Sequence, residues 1–183
     1  MEEYAYYKSM LFQKCRLGIG NIDDPYYREI FKDASCRIST YSCRQKADVR
    51  ASDIMLVNRN GQLGTFFKVN GEEYAVSAPG AFSVYNAVAA ITVCRHYGID
   101  QEIIRKALKT IRVPGRVEVI DNDRGYLLLI DYAHNAMSLK NILETMRRYH
   151  PRQLWVLFGC GGGRSSARRR EMGRVAGKYA DFT

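Results

Sequence analysis

The sequence lacks several features that mark membrane, secreted or metal-binding proteins. No apolar run reaches the roughly 18–20 residues needed to cross a bilayer. The start, Met1-Glu2-Glu3, is acidic where a signal peptide needs a basic and then an apolar stretch. The five cysteines form no C-x-x-C pair, and the three histidines lie far from them and from one another. The sequence thus supports neither a disulfide framework nor a zinc site, and it predicts a soluble protein that is not exported.

The composition is that of a basic globular protein. The 183 residues include 28 Lys and Arg against 19 Asp and Glu, which gives a formal charge of +9. With 46% hydrophobic and 26% charged residues, a wholly disordered chain is excluded. The length fits one domain, or two small or incomplete ones, at roughly 100–200 residues per domain. The positive charge is compatible with nucleic acids, nucleotides or phosphorylated substrates and does not choose among them.

The chain begins with a predicted helix that carries an unusual lysine. Over residues 2–16, apolar side chains recur with the spacing of one helical face, and Lys8 lies on that same face. An ammonium group on a buried apolar face must pair, extend its tip to solvent or lose its charge, and extension to solvent is the simplest outcome. Residues 18–25 are rich in turn formers and predict a connection, with Asp24-Pro25 opening a short helix.

A β section and two helices are predicted next. Asn60-Gly61 and Asn70-Gly71 separate extended runs within residues 36–77, and Asn-Gly is the strongest short hairpin signal, so we expect antiparallel strands there. Residues 82–97 are apolar nearly all the way round, which predicts a buried helix. Asp100 is placed to cap a further helix.

The pattern changes after Val113-Pro114-Gly115, which predicts a joint between two domains. Apolar runs at Tyr126–Ile130 and Leu154–Phe158 predict strands, and each is followed by a helical stripe of apolar residues. This order predicts a βαβ unit with a parallel sheet. A further strand is expected beyond Ala180, so the pattern is that of a truncated domain.

Two candidate sites follow these predicted strands. Asp131-Tyr132-Ala133-His134 comes directly after the first, and open α/β sheets bind ligands at the carboxyl ends of parallel strands. The plainer alternative is that Asp131 caps the next helix and His134 lies at the surface. The second strand enters a glycine turn at residues 159–163, which either cradles an anion or only reverses the chain. Arg164 stands where a Walker A or dinucleotide-binding pattern needs glycine, and its guanidinium suits a carboxylate.

Six segments, taken together and in order, resemble the Mur ligase family of peptidoglycan synthesis. They are residues 1–12, Asn21–Asp24, Gly80–Ala90, Gly115–Glu118, Asp131–His134 and Phe158–Arg164. The resemblance implies an α/β fold in two parts. Residues 1–114 correspond to the second half of the central ATPase domain, a mixed sheet with helices. Residues 115–183 correspond to the first half of the Rossmann-like C-terminal domain.

The resemblance implies an ATP-dependent ligase that forms amide bonds in the cytoplasm. Such an enzyme uses Mg²⁺ and adds the third amino acid, a diamino acid, to UDP-MurNAc-L-Ala-D-Glu through an acyl phosphate. It is expected to be monomeric, with no nucleic-acid or membrane partner. The family's P-loop, its Mg²⁺-binding Glu and His and its UDP-binding domain have no counterpart in this sequence. The 183 residues alone are therefore expected to be inactive.

The resemblance also assigns expected roles to six residues. These are Lys8 as a carbamylated lysine that helps to hold Mg²⁺, Asn86 as an adenine contact, Arg116 as a phosphate contact, Asp131 as a ribose contact, His134 as a member of the same ATP-binding motif, and Arg164 as the ligand of the incoming amino acid's carboxylate. The sequence departs from the family pattern at Ser83, Asn135–Met137 and Gly163–Ser165. These departures concern the details of the nucleotide pocket and the choice of amino acid.

Two other classes compete with this interpretation. A basic nucleic-acid-binding module would explain the charge and the arginine-rich last helix, but it predicts aromatic residues interleaved with the basic ones, and only Tyr179 lies near that cluster. A nucleotide-binding oxidoreductase is disfavoured because the glycine turn does not fit the dinucleotide-binding pattern.

Overall fold

The computed structural model describes residues 2–59, 62–121, 123–161 and 166–183. Its contacts divide the chain into two compact units. Unit 1 comprises Met1–Met55, Thr65–Ser77 and Ser83–Ile111, and unit 2 comprises Leu56–Gly64, Ala78–Phe82 and Arg112–Thr183. Within the described ranges, no helix has both the length and the apolar character required to cross a membrane.

The described residues form six helices and seven strands. In order they are α1 (Glu2–Phe12), β1 (Leu17–Asn21), α2 (Tyr27–Phe31), β2 (Arg37–Ser42), β3 (Val49–Arg59), β4 (Gln62–Val69), β5 (Glu72–Val76), α3 (Ala81–His96), α4 (Gln101–Thr110), β6 (Glu118–Ile120), β7 (Leu128–Ile130), α5 (Ala136–Arg147) and α6 (Ser166–Tyr179). Every helix predicted from the apolar pattern is present. The first ends four residues earlier than expected, at Phe12.

The strands form a five-stranded sheet in the order β1-β2-β3-β4-β5 and a separate pair, β6-β7. β2 runs parallel to both β1 and β3, whereas β4 and β5 form an antiparallel hairpin. The hairpin turns at Asn70 and Gly71, with φ of 52° and 91°, so the Asn-Gly prediction is confirmed there. The expectation of a wholly antiparallel section is wrong, because β2 has parallel neighbours on both sides. The turn predicted at Asn60-Gly61 lies outside the described residues.

β1 occupies part of the segment predicted as a connection. Its two glycines indicated turns, but the structure needs them for close packing. A Cβ atom would lie 2.8 Å from the Phe12 ring if placed on Gly18, and 2.6 Å from the Tyr27 ring if placed on Gly20. The aromatic rings of α1 and α2 therefore lie directly against the backbone of β1, and the centroids of Phe12 and Phe31 are 4.1 Å apart.

α1 buries a different face from the one that the sequence predicts. The larger side chains of the predicted face, Tyr4, Tyr7 and Leu11, are 59%, 62% and 63% exposed. The buried positions are the small residues Ala5 and Ser9. The helix therefore approaches its neighbours through small side chains, and the row of large apolar residues faces outwards.

The two remaining helices of unit 1 follow the predictions. α3 is buried along Val84, Val88 and Ile91, each fully inaccessible to solvent. Asp100 caps α4, since its carboxylate accepts hydrogen bonds from the backbone amides of Glu102 and Ile103 at 2.8 and 3.4 Å. α4 packs against β5.

Unit 2 is built around the paired helices α5 and α6. The predicted stripe on α5 is confirmed, because all four of its residues are buried; they are Leu139, Ile142, Leu143 and Met146. On α6, Met172 and Ala176 are buried against them. The partly buried rings of Phe82 and Tyr149 complete this core, and the Tyr149 hydroxyl donates a hydrogen bond to the carbonyl of Gly64 at 3.2 Å.

The predicted parallel βαβ sheet is not found among the described residues of unit 2. β7 pairs with β6 in antiparallel fashion. Of the predicted second strand, Leu154–Phe158, the first residues pair with the end of the chain. Trp155 forms a parallel bridge to Phe182, and the backbones of Leu154 and Val156 hydrogen-bond to Asp181 and Phe182. Leu157 is 99% exposed. The apolar run is therefore extended chain with one bridge and no continuous strand partner in the described part of the protein.

The α5–α6 core gives a first prediction. Met172→Ala removes a buried side chain, 1% exposed, and should lower the free energy of unfolding by about 2–5 kcal/mol through lost contacts and a residual cavity. Met137→Ala, at a position 68% exposed, is the matched control and should change it by less than about 0.5 kcal/mol. Urea titration followed by the fluorescence of Trp155, the single tryptophan, measures both. Equal midpoints for the two variants would contradict this description of the core.

Candidate functional site

Asp131 lies directly after β7 and holds two backbone segments. One carboxylate oxygen accepts a hydrogen bond from the amide of Val117 at 2.9 Å, and the other accepts from the amide of Ala133 at 2.8 Å. The alternative that Asp131 caps the next helix is wrong. Asn135 caps α5 instead, since its side-chain oxygen accepts from both the amide and the hydroxyl of Ser138.

The segment held by Asp131 has an unusual backbone. Val117 has φ of 50°, a left-handed conformation that is strained for a β-branched residue. Its side chain is 5% exposed within the unit 2 core. Two residues earlier, Gly115 also has positive φ, and its amide donates a hydrogen bond to the Glu118 carboxylate at 2.7 Å. Burial and these two carboxylates together fix the conformation of residues 115–118.

Arg116 extends from this fixed segment into solvent. Its guanidinium lies over the ring of Tyr132, 4.6 Å from the ring centroid. The centroids of Tyr132 and His134 are 5.0 Å apart, and His134 Nδ1 lies 3.1 Å from the carbonyl oxygen of Tyr132, to which it donates. A positive charge, an aromatic face and an imidazole therefore share one exposed surface of unit 2. Such a surface can bind a phosphate group and stack on a planar ligand.

Lys8 is exposed on α1, contrary to the buried position inferred from its helical face. Its ammonium group lies 4.7 Å from the centroid of the Tyr4 ring, one turn earlier. Carbamylation of Lys8 stays a prediction from the resemblance.

Asn86 lies on the exposed side of α3, immediately after Tyr85, whose partner Asp23 is partly buried. The hydroxyl of Tyr85 donates a hydrogen bond of 2.9 Å to the carboxylate of Asp23. That carboxylate also accepts from the amide of Cys43 at 2.8 Å and from the hydroxyl of Ser42. Sequence spacing does not reveal this cluster, because its residues are widely separated along the chain. Two segments of the family resemblance contain members of the cluster: Asn21–Asp24 contains Asp23, and Gly80–Ala90 contains Tyr85.

The surroundings of the Asp23 cluster shift three pKa values. Partial burial alone would raise the pKa of Asp23, but hydrogen bonds from Cys43, Ser42, Tyr85 and Gln45 outweigh it and hold the pKa below its usual range. Burial and the nearby Asp23 charge raise the pKa of Tyr85. The same two causes raise the pKa of the Cys43 thiol to about 12. The cluster therefore holds an ionised carboxylate beside a neutral phenol and a neutral thiol.

Arg164, the remaining predicted site residue, lies outside the described residues, as do Gly162, Gly163 and Ser165. The first three residues of the glycine turn, Gly159, Cys160 and Gly161, are described. α6 begins at Ser166, and its basic side chains are mostly exposed; they are Arg168, Arg169, Arg170, Arg174 and Lys178, of which only Arg168 is partly buried.

Metal-ligating side chains are not gathered in the part of the chain that the structure describes. It contains no group of three or more His, Cys, Asp or Glu side chains able to hold an ion. All five cysteines are free thiols.

Comparisons with known proteins cover both units. The pattern of a family described as "Mur ligase middle domain" matches residues 1–94, and that of "Mur ligase, glutamate ligase domain" matches residues 115–183. The UDP-N-acetylmuramoyl-L-alanyl-D-glutamate--2,6-diaminopimelate ligase of Caldanaerobacter subterraneus subsp. tengcongensis is 40% identical over 187 residues, covering 100% of this chain and 38% of the relative. The protein of the same name from Alkaliphilus oremlandii is 36% identical over 188 residues, covering 100% of this chain and 39% of the relative.

A solved structure of a UDP-N-acetylmuramoyl-L-alanyl-D-glutamate--2,6-diaminopimelate ligase has the same fold. It superposes with a TM-score of 0.65 at 32% sequence identity, covering 99% of this chain and 39% of that one. The predicted α/β class, a mixed sheet with helices, is thereby confirmed. The chain spans less than two fifths of the length of the curated relatives it matches.

The bonds of Asp131 give a second prediction. Asp131→Asn keeps the size of the side chain but replaces one acceptor oxygen with an NH₂ group, so either Val117 or Ala133 loses its acceptor. The free energy of unfolding should fall by about 1–3 kcal/mol, measured by urea titration with Trp155 fluorescence. Asp123→Asn, at an exposed position, is the control and should leave the midpoint unchanged. If both variants unfold at the same urea concentration, Asp131 does not hold the segment.

Proposed function

The chain belongs to the Mur ligase family, and from that premise we propose that it is part of an ATP-dependent ligase of peptidoglycan precursor synthesis. The proposed reaction adds a third amino acid to UDP-MurNAc-L-Ala-D-Glu. ATP phosphorylates the acceptor carboxylate, and the amine of the incoming amino acid displaces phosphate from the acyl phosphate. The names of the relatives support 2,6-diaminopimelate as that amino acid. A cytoplasmic location accords with a nucleotide-linked substrate.

The observation that carries this proposal is the exposed surface formed by Arg116, Tyr132 and His134. Its arginine is fixed in position by the neighbouring backbone and by an aromatic ring, and it points into solvent. A guanidinium held in this way can bind phosphate oxygens with little loss of side-chain entropy on binding. Phosphoryl transfer depends mainly on positioning and on charge neutralisation, which are the contributions this surface can make.

Asp131 is compatible with both a structural and a binding role. An ionised carboxylate has about four acceptor sites, and two are used by Val117 and Ala133. The remaining sites suit the hydroxyl groups of a ribose, the role that the resemblance gives to this residue. On unit 1, the exposed amide of Asn86 can pair with the donor and acceptor edge of adenine.

The residues that the structure describes do not form a Mg²⁺ site on their own. Oxygen ligands are what Mg²⁺ requires, and the described ranges contain no cluster that gathers them. Lys8 would contribute one ligand only after carbamylation. No step of the proposed reaction is therefore assigned to metal ligands of this chain.

The remaining assignments follow the family. We propose that residues 1–114 belong to the central ATPase domain and residues 115–183 to the C-terminal domain, and that Arg164 binds the carboxylate of the incoming amino acid. The nucleic-acid-binding alternative is not favoured, since the matched relatives are named as ligases.

Substrate-dependent phosphate release tests the proposed function. In a full-length ligase that contains this chain, release should require ATP, UDP-MurNAc-L-Ala-D-Glu and diaminopimelate together. L-lysine in place of diaminopimelate should support it poorly. Release that is independent of any amino acid, or of the acceptor, would contradict a ligase reaction.

The same assay tests the role of Arg116. Arg116→Ala should raise the KM for ATP by roughly 10- to 100-fold, because a charged hydrogen bond to phosphate is lost, and should leave the KM for diaminopimelate unchanged. Arg152→Ala removes another exposed arginine of unit 2 and should change neither constant. An unchanged KM for ATP in the Arg116 variant would refute the phosphate contact.

A further inference from the structure

The carboxylate of Asp23 joins three separate segments of unit 1. Asp23 lies in the loop after β1, and its hydrogen bonds reach the turn after β2 and the helix α3. Cys43 donates its backbone amide at 2.8 Å, and Tyr85 donates its hydroxyl at 2.9 Å, both to the same oxygen. The other oxygen accepts from the side-chain amide of Gln45 at 3.2 Å.

Ser42 completes the attachment of the two loops. Its side chain is fully buried, and its hydroxyl lies 2.8 and 2.9 Å from the two oxygens of Asp23, to which it donates. The same hydroxyl oxygen accepts hydrogen bonds from the amides of Arg44 and Gln45. Gln45 in turn donates to the carbonyl of Ile22 at 2.8 Å. These hydrogen bonds hold the turn after β2 against the loop after β1, and none of them involves Tyr85.

The bond from Tyr85 serves a different element, α3. Val84 and Val88 on this helix are fully buried, while Asn86 is exposed. Successive residues of an α-helix point about 100° apart, so a small rotation of α3 about its axis would change the direction of Asn86. The buried valines resist such a rotation through packing, and the Tyr85 hydroxyl adds a directional bond to a fixed carboxylate.

We propose that Asp23 is a positioning residue for nucleotide binding: by accepting the Tyr85 hydroxyl, it fixes the rotation of α3 and so the direction in which the Asn86 amide meets the nucleobase. This inference rests on the proposed function, which gives Asn86 its contact with adenine. Asp23 does not touch the nucleotide. It acts through Tyr85 and α3.

Base discrimination separates positioning from a merely structural role. A residue that only stabilises the fold would change the amount of active protein, and every nucleotide would be affected alike. A residue that directs Asn86 should change the preference for ATP over GTP, because adenine and guanine present different donors and acceptors. The ratio of kcat/KM for ATP to that for GTP is therefore the measurement, made with a full-length ligase that contains this chain.

Tyr85→Phe is the sharpest variant, since it removes one hydroxyl and leaves the bonds of Asp23 to Ser42, Cys43 and Gln45. The ATP preference should fall by roughly 3- to 10-fold, with kcat at saturating ATP changed by less than about 2-fold. Asp23→Asn should shift the preference in the same direction. Tyr97→Phe, at a tyrosine 77% exposed just after α3, is the matched control and should leave the preference unchanged.

Asn86→Ala, measured beside these variants, distinguishes a failure of the positioning role of Asp23 from a failure of the adenine contact of Asn86. If Asn86→Ala lowers the ATP preference while Tyr85→Phe leaves it as in the parent enzyme, the positioning role of Asp23 is refuted and the proposed function stands. If Asn86→Ala itself leaves the preference unchanged, the adenine contact is refuted, and the inference about Asp23 falls with it. Should Asp23→Asn not fold, Tyr85→Phe alone still decides the matter.

Discussion

In each unit of this protein, one carboxylate lies just after a strand and accepts hydrogen bonds from neighbouring segments, and it thereby fixes their positions. In unit 1, Asp23 accepts hydrogen bonds from the turn after β2 and from α3. In unit 2, Asp131 accepts two backbone amides and thereby supports the strained Val117. A polar group that is buried without a partner costs free energy, so these bonds restrict how the surrounding segments can pack. The exposed Asn86 directly follows Tyr85, whose hydroxyl donates to Asp23. The exposed Arg116 directly precedes Val117, whose amide donates to Asp131.

Much of the fold follows from local sequence patterns, and the exceptions have physical causes. The helices α3 to α6 and the hairpin at Asn70-Gly71 depend on periodicity, caps and turn residues that lie close together in the sequence. β1 does not, because Gly18 and Gly20 serve close contact with aromatic rings from other elements. The buried face of α1 is likewise determined by tertiary packing, because the small residues Ala5 and Ser9 are buried while larger apolar residues of the helix are exposed. The apolar run at Leu154–Phe158 has the composition of a strand, but it forms a single bridge, from Trp155 to Phe182.

In the candidate site too, some residues could be predicted from the local sequence and others could not. Asp131 and His134 are recognisable because they follow an apolar strand, a position that open α/β sheets use for ligands. The support given to Arg116 by Tyr132 also lies within a short stretch of chain. Asp23 could not be found from spacing, because its partners Ser42 and Tyr85 are 19 and 62 residues away. For Lys8 the position on the apolar face of the helix predicted burial, but the side chain is exposed.

Photolabelling with 8-azido-ATP tests the central claim, that this chain provides a nucleotide-binding surface, most directly. The reagent carries its reactive group on the adenine ring. In a full-length ligase that contains this chain, tryptic digestion should place the label in the peptide of residues 69–95, which contains Asn86, and excess ATP should suppress it. Label that appears only in other peptides, or that excess ATP does not displace, would contradict the account.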